Sequence, residues 1–107
     1  SRTDILKYKL WLECGKVCPY TNRSISCAQL FGEHPEFEIE DIIPYSRCLD
    51  DSFMNKTLCE SKLNREKGKQ TPAEFFQGRE SDYQQLKDRI RHLLHYHKSK
   101  RFYPDAR

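Results

Sequence analysis

Apolar residues recur at helical spacing in the first third of the chain. Ile5, Tyr8 and Leu12 fall on one face of a helix that we predict over residues 4–14. Trp11 and Tyr8 are large aromatic side chains, so we expect both to pack in the core rather than against a ligand. A second, short helix is predicted over residues 27–31, where a glycine follows the last apolar position.

The centre of the chain changes from helical spacing to alternation. Residues 37–43 alternate as in a β-strand that stops at Pro44. Residues 56–59 predict a second short strand after an irregular stretch. Residues 60–67 have the composition of a helix, and Gly68 can end it. A strand–strand–helix unit is therefore expected here.

The last third predicts helices again. Thr71 can cap a helix that has Pro72 at its first position. Ser81 and Gln84 have the spacing of a capping box. Apolar residues behind Ser81 keep a helical period to about Lys98.

Length and composition indicate one domain. The chain has 107 residues, of which 36% are apolar and 33% charged, which suits one small core and not two. We expect a single α+β domain over residues 1–107. No run of eighteen apolar residues occurs, so no membrane is expected as a partner. The start lacks a Met and an apolar signal region, which favours a fragment of a larger protein.

The cysteines and the charge distribution indicate the cellular compartment and the kind of binding partner. Five cysteines are an odd number at irregular spacing, so we expect reduced, mostly buried thiols in a cytoplasmic bacterial protein. From Lys87 to Arg101 there are six Lys or Arg residues against one acid. This basic end suits a polyanionic partner, although from the charge alone a solvated helix face is the better explanation.

Three segments carry the candidate chemistry. Residues 37–47 read FEIEDIIPYSR, residues 49–59 read LDDSFMNKTLC and residues 64–72 read NREKGKQTP. They resemble the HNH nuclease domain of type II CRISPR RNA-guided DNA endonucleases, particularly the II-C branch. In that family the pattern runs acid-His-apolar-apolar-Pro, then Asp-Asp-Ser with Asn-Lys, then Asn-x-x-Lys-Gly-x-x-Thr-Pro. The resemblance covers nearly the whole chain.

The resemblance implies a fold of the ββα-metal type and assigns the site residues. Glu40 and Asn64 would supply oxygen ligands to Mg²⁺, with Mn²⁺ as a substitute. Asp41 stands where the family has its general-base His. Asn55 would hold the loop and the base position by hydrogen bonds. Lys56 follows that Asn in the family pattern.

The basic residues around these positions are candidates for nucleic-acid contacts. We expect phosphate contacts from Lys56, Arg65, Lys67 and Lys69, with solvated surface as the alternative. The implied partners are the target-strand DNA in a guide RNA–DNA heteroduplex, the remainder of the effector protein and a phage inhibitor protein.

Asp41 is the departure from the family that matters most. A carboxylate is a weaker base than imidazole, and its charge opposes a phosphate. Losing a positioned base typically costs about 10²–10⁴ in rate. We therefore expect a chain that folds and cleaves DNA poorly. A stand-alone HNH nuclease and a catalytically dead module that binds nucleic acid or an inhibitor are the alternatives.

A structural zinc is not expected. Four-Cys zinc sites need paired Cys-x-x-Cys spacing, and three of the four positions carry other residues. Cys14 and Cys18 could nominally hold zinc with Cys27 or Cys59, which we regard as the weaker reading. A zinc-knuckle structural protein is therefore the least favoured class.

Overall fold

The computed structural model describes residues 1–105. Its secondary structure, in chain order, is α1 (Arg2–Glu13), α2 (Cys27–Phe31), β1 (Phe37–Asp41), α3 (Tyr45–Cys48), β2 (Lys56–Glu60), α4 (Ser61–Lys67), α5 (Pro72–Phe75), α6 (Glu80–Leu93) and α7 (Tyr96–Ser99), with 3₁₀ turns at Phe53–Asn55 and Lys100–Phe102.

The centre of the fold is a two-stranded antiparallel sheet followed directly by a helix. Phe37 lies opposite Glu60, and Asp41 lies opposite Lys56. Helix α4 begins at the residue after β2 and folds back onto both strands. This order confirms the α+β, strand–strand–helix expectation. Strand β1 is shorter than predicted, because Ile42 and Ile43 turn inward as buried core residues after it.

The hydrophobic core packs against the two-stranded sheet. Phe37 and Leu58 from the strands, Ile90 from α6 and Phe102 from the C-terminal 3₁₀ turn are completely buried. Phe102 packs on the Tyr20 ring with 5.5 Å between centroids. Aromatic pairs at such distances add to the stability gained from burial alone. The C-terminal segment is thereby built into the same core as the sheet.

Helix α1 turns a different face inward than the sequence predicts. Ile5, Tyr8 and Leu12 are exposed, whereas Leu10 is buried. The prediction that Tyr8 packs in the core was wrong, since 51% of this residue is accessible to solvent. Trp11 does pack against the core, and its indole nitrogen donates to the carbonyl of Ile25 at 2.9 Å.

Helix α6 begins and ends elsewhere than predicted. Arg79 is the N-cap residue, and its side chain makes no capping bond within residues 1–105. Ser81 lies inside the first turn, so the predicted Ser81–Gln84 capping box was wrong. The helix also stops before Lys98, because Leu94 is extended at φ −117° and ψ 154°.

The Thr71 cap was predicted correctly. Its hydroxyl accepts from the backbone nitrogen of Glu74, whose carboxylate accepts from the Thr71 nitrogen. No helix within the described residues is long and apolar enough to cross a membrane.

Candidate functional site

Polar side chains meet where helix α4 crosses strand β1. Glu38 and Glu40 are two residues apart on a strand, so their side chains point to the same face. Asn64 and Lys67 are three residues apart on α4, so they share a helix face. The Asn64 amide nitrogen donates to Glu38 Oε1 at 2.8 Å. Lys67 Nζ lies 3.2 Å from Glu40 Oε2.

Glu40 is a buried carboxylate with two partners of different kinds. It is 2% exposed, and its Oε1 accepts a 2.7 Å hydrogen bond from the Tyr20 hydroxyl. Its Oε2 faces the Lys67 ammonium, yet no donor among residues 1–105 meets it with hydrogen-bond geometry. Burial raises the pKa of Glu40 to about 7, against the opposing influence of Lys67 and Tyr20. One carboxylate oxygen therefore lacks a full complement of hydrogen bonds.

Lys67 is as deeply buried as its partner. Only 1% of the residue is exposed, and its ammonium also donates to the carbonyls of Ile42 at 3.0 Å and Asp41 at 3.4 Å. These contacts tie the end of β1 to α4. Lys67 does not present its charge to a phosphate in this structure, contrary to the surface contact expected for it.

Asp41 lies on the opposite face of the strand from Glu40. Its Oδ1 is 2.7 Å from the ammonium of Lys56, the residue opposite it in the sheet. The same ammonium is 2.7 Å from Asp51. Lys56 thus bridges two carboxylates, and little of its side chain reaches solvent. Asp41 and Lys56 therefore pair with each other, and most of each side chain is shielded from solvent.

Asn55 fixes the loop between the strands. The side chain is completely buried, and its Oδ1 accepts from the Ile43 nitrogen at 3.0 Å. Its amide donates to the carbonyls of Ile43 and Asp50, both at 2.9 Å. All of these partners are backbone groups, so Asn55 serves to hold the two ends of the loop together.

Two of the four predicted basic contact residues are exposed. Arg65 and Lys69 both point to solvent. Arg65 lines a surface cavity of about 320 Å³ together with Arg23 and Lys62. Arg23 pairs with Glu36 and Glu60 in the same cavity.

The donor atoms fit a hard divalent cation held by few protein ligands. No group of three or more His, Cys, Asp or Glu side chains in residues 1–105 could hold a metal ion. Carboxylate oxygens of Glu38 and Glu40 and the amide oxygen of Asn64 are nevertheless ligands of the type that Mg²⁺ prefers, with water and phosphate completing the shell. Oε2 of Glu40 has no hydrogen-bond donor within residues 1–105, and the cation that faces it in this structure is the Lys67 ammonium at 3.2 Å.

Sequence reasoning missed Glu38, Tyr20 and the role of Lys67. Glu38 was recoverable from strand parity, since it must share a face with Glu40. Lys67 was recoverable from its helical spacing to Asn64. No local signal connected Tyr20 to Glu40, because they are 20 residues apart and meet through the tertiary fold.

Comparisons with known proteins identify the family of this chain. A family model described as HNH endonuclease matches residues 18–73, just over half of the chain. The "CRISPR-associated endonuclease Cas9" of Campylobacter jejuni is 41% identical over 83 residues, covering 78% of this chain and 8% of that protein. The protein of that name from Staphylococcus aureus is 32% identical over 78 residues, covering 71% of this chain and 7% of its own length.

A solved structure extends the match to almost the whole chain. The "Streptococcus thermophilus Cas9 in complex with AGGA PAM" superimposes with a TM-score of 0.81 and 32% identity, covering 97% of this chain and 10% of that chain. The chain therefore spans about a tenth or less of these relatives. It belongs to the HNH endonuclease family and corresponds to the HNH domain of CRISPR-associated Cas9 endonucleases.

Proposed function

We propose that this chain is the part of an RNA-guided endonuclease that cuts the DNA strand paired with the guide RNA, and that Asp41 impairs its activity. The observation that supports a nuclease site most is that α4 contacts both acids on one face of β1, Asn64 through Glu38 and Lys67 through Glu40. Sequence specificity would come from base pairing with the guide. The remainder of the effector would bind that guide, in the bacterial cytoplasm.

A divalent ion would be held by Glu40 and Asn64. When bound, Mg²⁺ would supply Lewis-acid stabilisation of charge on the scissile phosphate. Glu40 must be ionised for this role, and the nearby Lys67 ammonium favours the ionised form. Asn64 would offer its amide oxygen while its nitrogen donates to Glu38. Asn55 would keep the loop, and with it residue 41, in place.

Asp41 is poorly suited to accept a proton from the attacking water. Its carboxylate is paired with Lys56 at 2.7 Å, and the same cation bridges to Asp51. A carboxylate is by its chemical nature a weaker base than the imidazole that the family pattern places here, and one of the Asp41 oxygens already bonds to the Lys56 ammonium.

Cleavage of a labelled RNA–DNA heteroduplex in Mg²⁺ tests the proposal. We expect Asp41→His to raise the rate of DNA-strand cleavage by about 10²–10⁴, with the RNA strand intact. Asp82→His is the matched control, since Asp82 is an exposed acid on α6. Equal, strong cleavage by the unaltered chain and Asp41→His would contradict the impairment.

A catalytically dead binding module is the second candidate function. The Lys56 bridge on Asp41 favours it, because this bridge removes the residue at the base position from chemistry. In that case Asp41→His binds the heteroduplex as the unaltered chain does, and neither protein cuts it.

A further inference from the structure

Lys67 places a cation inside the fold among oxygen atoms. Its ammonium lies 3.2 Å from Glu40 Oε2, 3.0 Å from the Ile42 carbonyl oxygen and 3.4 Å from the Asp41 carbonyl oxygen. Carboxylate and backbone carbonyl oxygens are also the donor types that hard divalent cations select in proteins. The ammonium therefore has the surroundings of a bound metal ion, although a side chain of the protein supplies the charge.

The contact between Lys67 and Glu40 is an attraction of charges without a well-directed hydrogen bond. Among residues 1–105 no donor meets Glu40 Oε2 with hydrogen-bond geometry, whereas Oε1 accepts from the Tyr20 hydroxyl at 2.7 Å. A buried acceptor without a directed donor costs free energy, and a more highly charged cation would relieve that cost. Oε2 is thus the oxygen of Glu40 at which one cation can best replace another.

A divalent ion bound by Glu40 and Asn64 would meet the Lys67 ammonium. Asn64 is three residues before Lys67 on α4, so the two side chains lie on one face of the helix. The Asn64 amide bonds to Glu38, which shares a strand face with Glu40. Two cations at one buried oxygen repel each other strongly, because charge is screened weakly inside a protein. Lys67 and the ion therefore exclude each other from Oε2.

Lys67 lies at a position from which its side chain can reach solvent. It is the last residue of α4, and Gly68 follows it with a φ of 54°. Glu66, Gly68 and Lys69 around it are all exposed. The ammonium of a lysine is carried on a flexible stem of four carbons. Its exit therefore needs the movement of one flexible side chain at the end of a helix.

We propose that the Lys67 ammonium and a divalent ion compete for Glu40 Oε2, so that the ion binds by displacing the ammonium. Lys67 is thus a positioning residue, which holds the Glu40 carboxylate in place until the ion arrives. In the same exchange its charge moves from the interior to the exposed end of α4. The proposal rests on the proposed function, because it takes Glu40 as a ligand of the metal ion.

Lysine acetylation followed by mass spectrometry measures this exchange in the unaltered chain. A limiting amount of an N-hydroxysuccinimide ester of acetic acid labels each lysine at a rate set by its access to solvent. The rates are compared in chelator and in saturating Mn²⁺ at one pH. Lys98 is the matched control, since it is also fully buried and paired with an acid, Glu13, on other helices. Lys69 is the exposed reference.

We expect Mn²⁺ to raise the labelling rate of Lys67 at least about tenfold, since a minor conformation is typically populated to at most about a tenth before its ligand is added. The rates at Lys98 and Lys69 should not change. Asn64→Ala should keep Lys67 protected at the Mn²⁺ concentration that suffices for the unaltered chain. Glu40→Gln should raise the Lys67 rate in chelator and make it insensitive to Mn²⁺, with Lys98 still protected.

Three other outcomes would overturn the exchange. If calorimetry shows a bound Mn²⁺ ion while Lys67 stays protected, the displacement is wrong and the metal site stands. If the rates at Lys67 and Lys98 rise together, the ion loosens the whole domain and does not exchange with one side chain. If calorimetry detects no Mn²⁺ binding and the Lys67 rate is unchanged, the metal site is wrong and the proposed nuclease site falls with it.

Discussion

Lys67 and Glu40 are charged side chains with almost no exposure to solvent. Each charge is therefore stabilised mainly by the other. Removing one partner from a buried ion pair typically costs about 3–5 kcal/mol, because the other charge stays buried and unpaired. We expect Lys67→Met to lower the free energy of unfolding by about 3 kcal/mol when urea unfolding is followed at pH 8.5, where Glu40 is ionised.

Lys69→Met is the control for that substitution, since Lys69 is two residues further along and exposed. It should change stability by less than about 0.5 kcal/mol. Similar losses in the two variants would show that Lys67 contributes no more than a surface lysine.

Glu40 should also make stability depend on pH. Its pKa in the folded chain is about 7, above the ordinary value of 4.5, so the folded state binds this proton more tightly than the unfolded state. The contribution is complete below pH 4.5 and is lost as the pH rises to about 7. Unfolding free energy measured with chelator present should therefore fall across this window.

Glu40→Gln isolates that contribution, because glutamine keeps the neutral form at every pH. The fall between pH 4.5 and 7 should flatten in this variant and persist in Glu80→Gln, a change of an exposed acid on α6. An unchanged slope in Glu40→Gln would mean that another group controls stability in this range.

Among the helices, a second ion pair joins α1 to α7, with its lysine fully buried and its glutamate partly exposed. Lys98 on α7 is completely buried, and its ammonium is 2.7 Å from Glu13 on α1. It also lies 3.7 Å from the centroid of the Phe53 ring. Burial lowers the pKa of Lys98, with Glu13 acting in the opposite direction. Helices α1 and α7 are thus linked through an ion pair that reaches the loop holding Asn55.

We expect Glu13→Gln to destabilise the domain by about 3–5 kcal/mol, since it leaves the Lys98 charge buried without its partner. The double variant Glu13→Gln with Lys98→Met should recover much of this loss, because neither charge then remains. Chemical unfolding of the two single variants and the double variant measures the coupling. Additive losses would contradict a direct interaction.

The sequence predicted those elements whose signals are local. The Thr71 cap with Pro72, the glycine after α4 and the alternation in β1 each act within a few residues, and all three appear in the structure. The Ser81 capping box failed because the chain already enters the helix at Glu80. The exposed face of α1 was not predictable, since periodicity identifies an apolar stripe and not what covers it.

At the scale of the whole molecule, the chain spans about a tenth or less of its relatives. Residues 64 and 40 could be selected from the family pattern in the sequence, which identifies positions by order and spacing. Their partners could not, because Tyr20 and Lys67 reach Glu40 through tertiary packing. The groups that bond to the Glu40 carboxylate therefore decide whether its oxygens are free to bind a metal ion.

Calorimetric titration with Mn²⁺ measures whether Glu40 and Asn64 share one ion. We predict one site in the unaltered chain, with affinity at least about tenfold lower in Glu40→Gln and in Asn64→Ala. The double variant should lose little more than either single variant, because both residues serve the same ion. Unaltered Mn²⁺ binding in Asn64→Ala and Glu40→Gln would show that these two residues do not hold the ion.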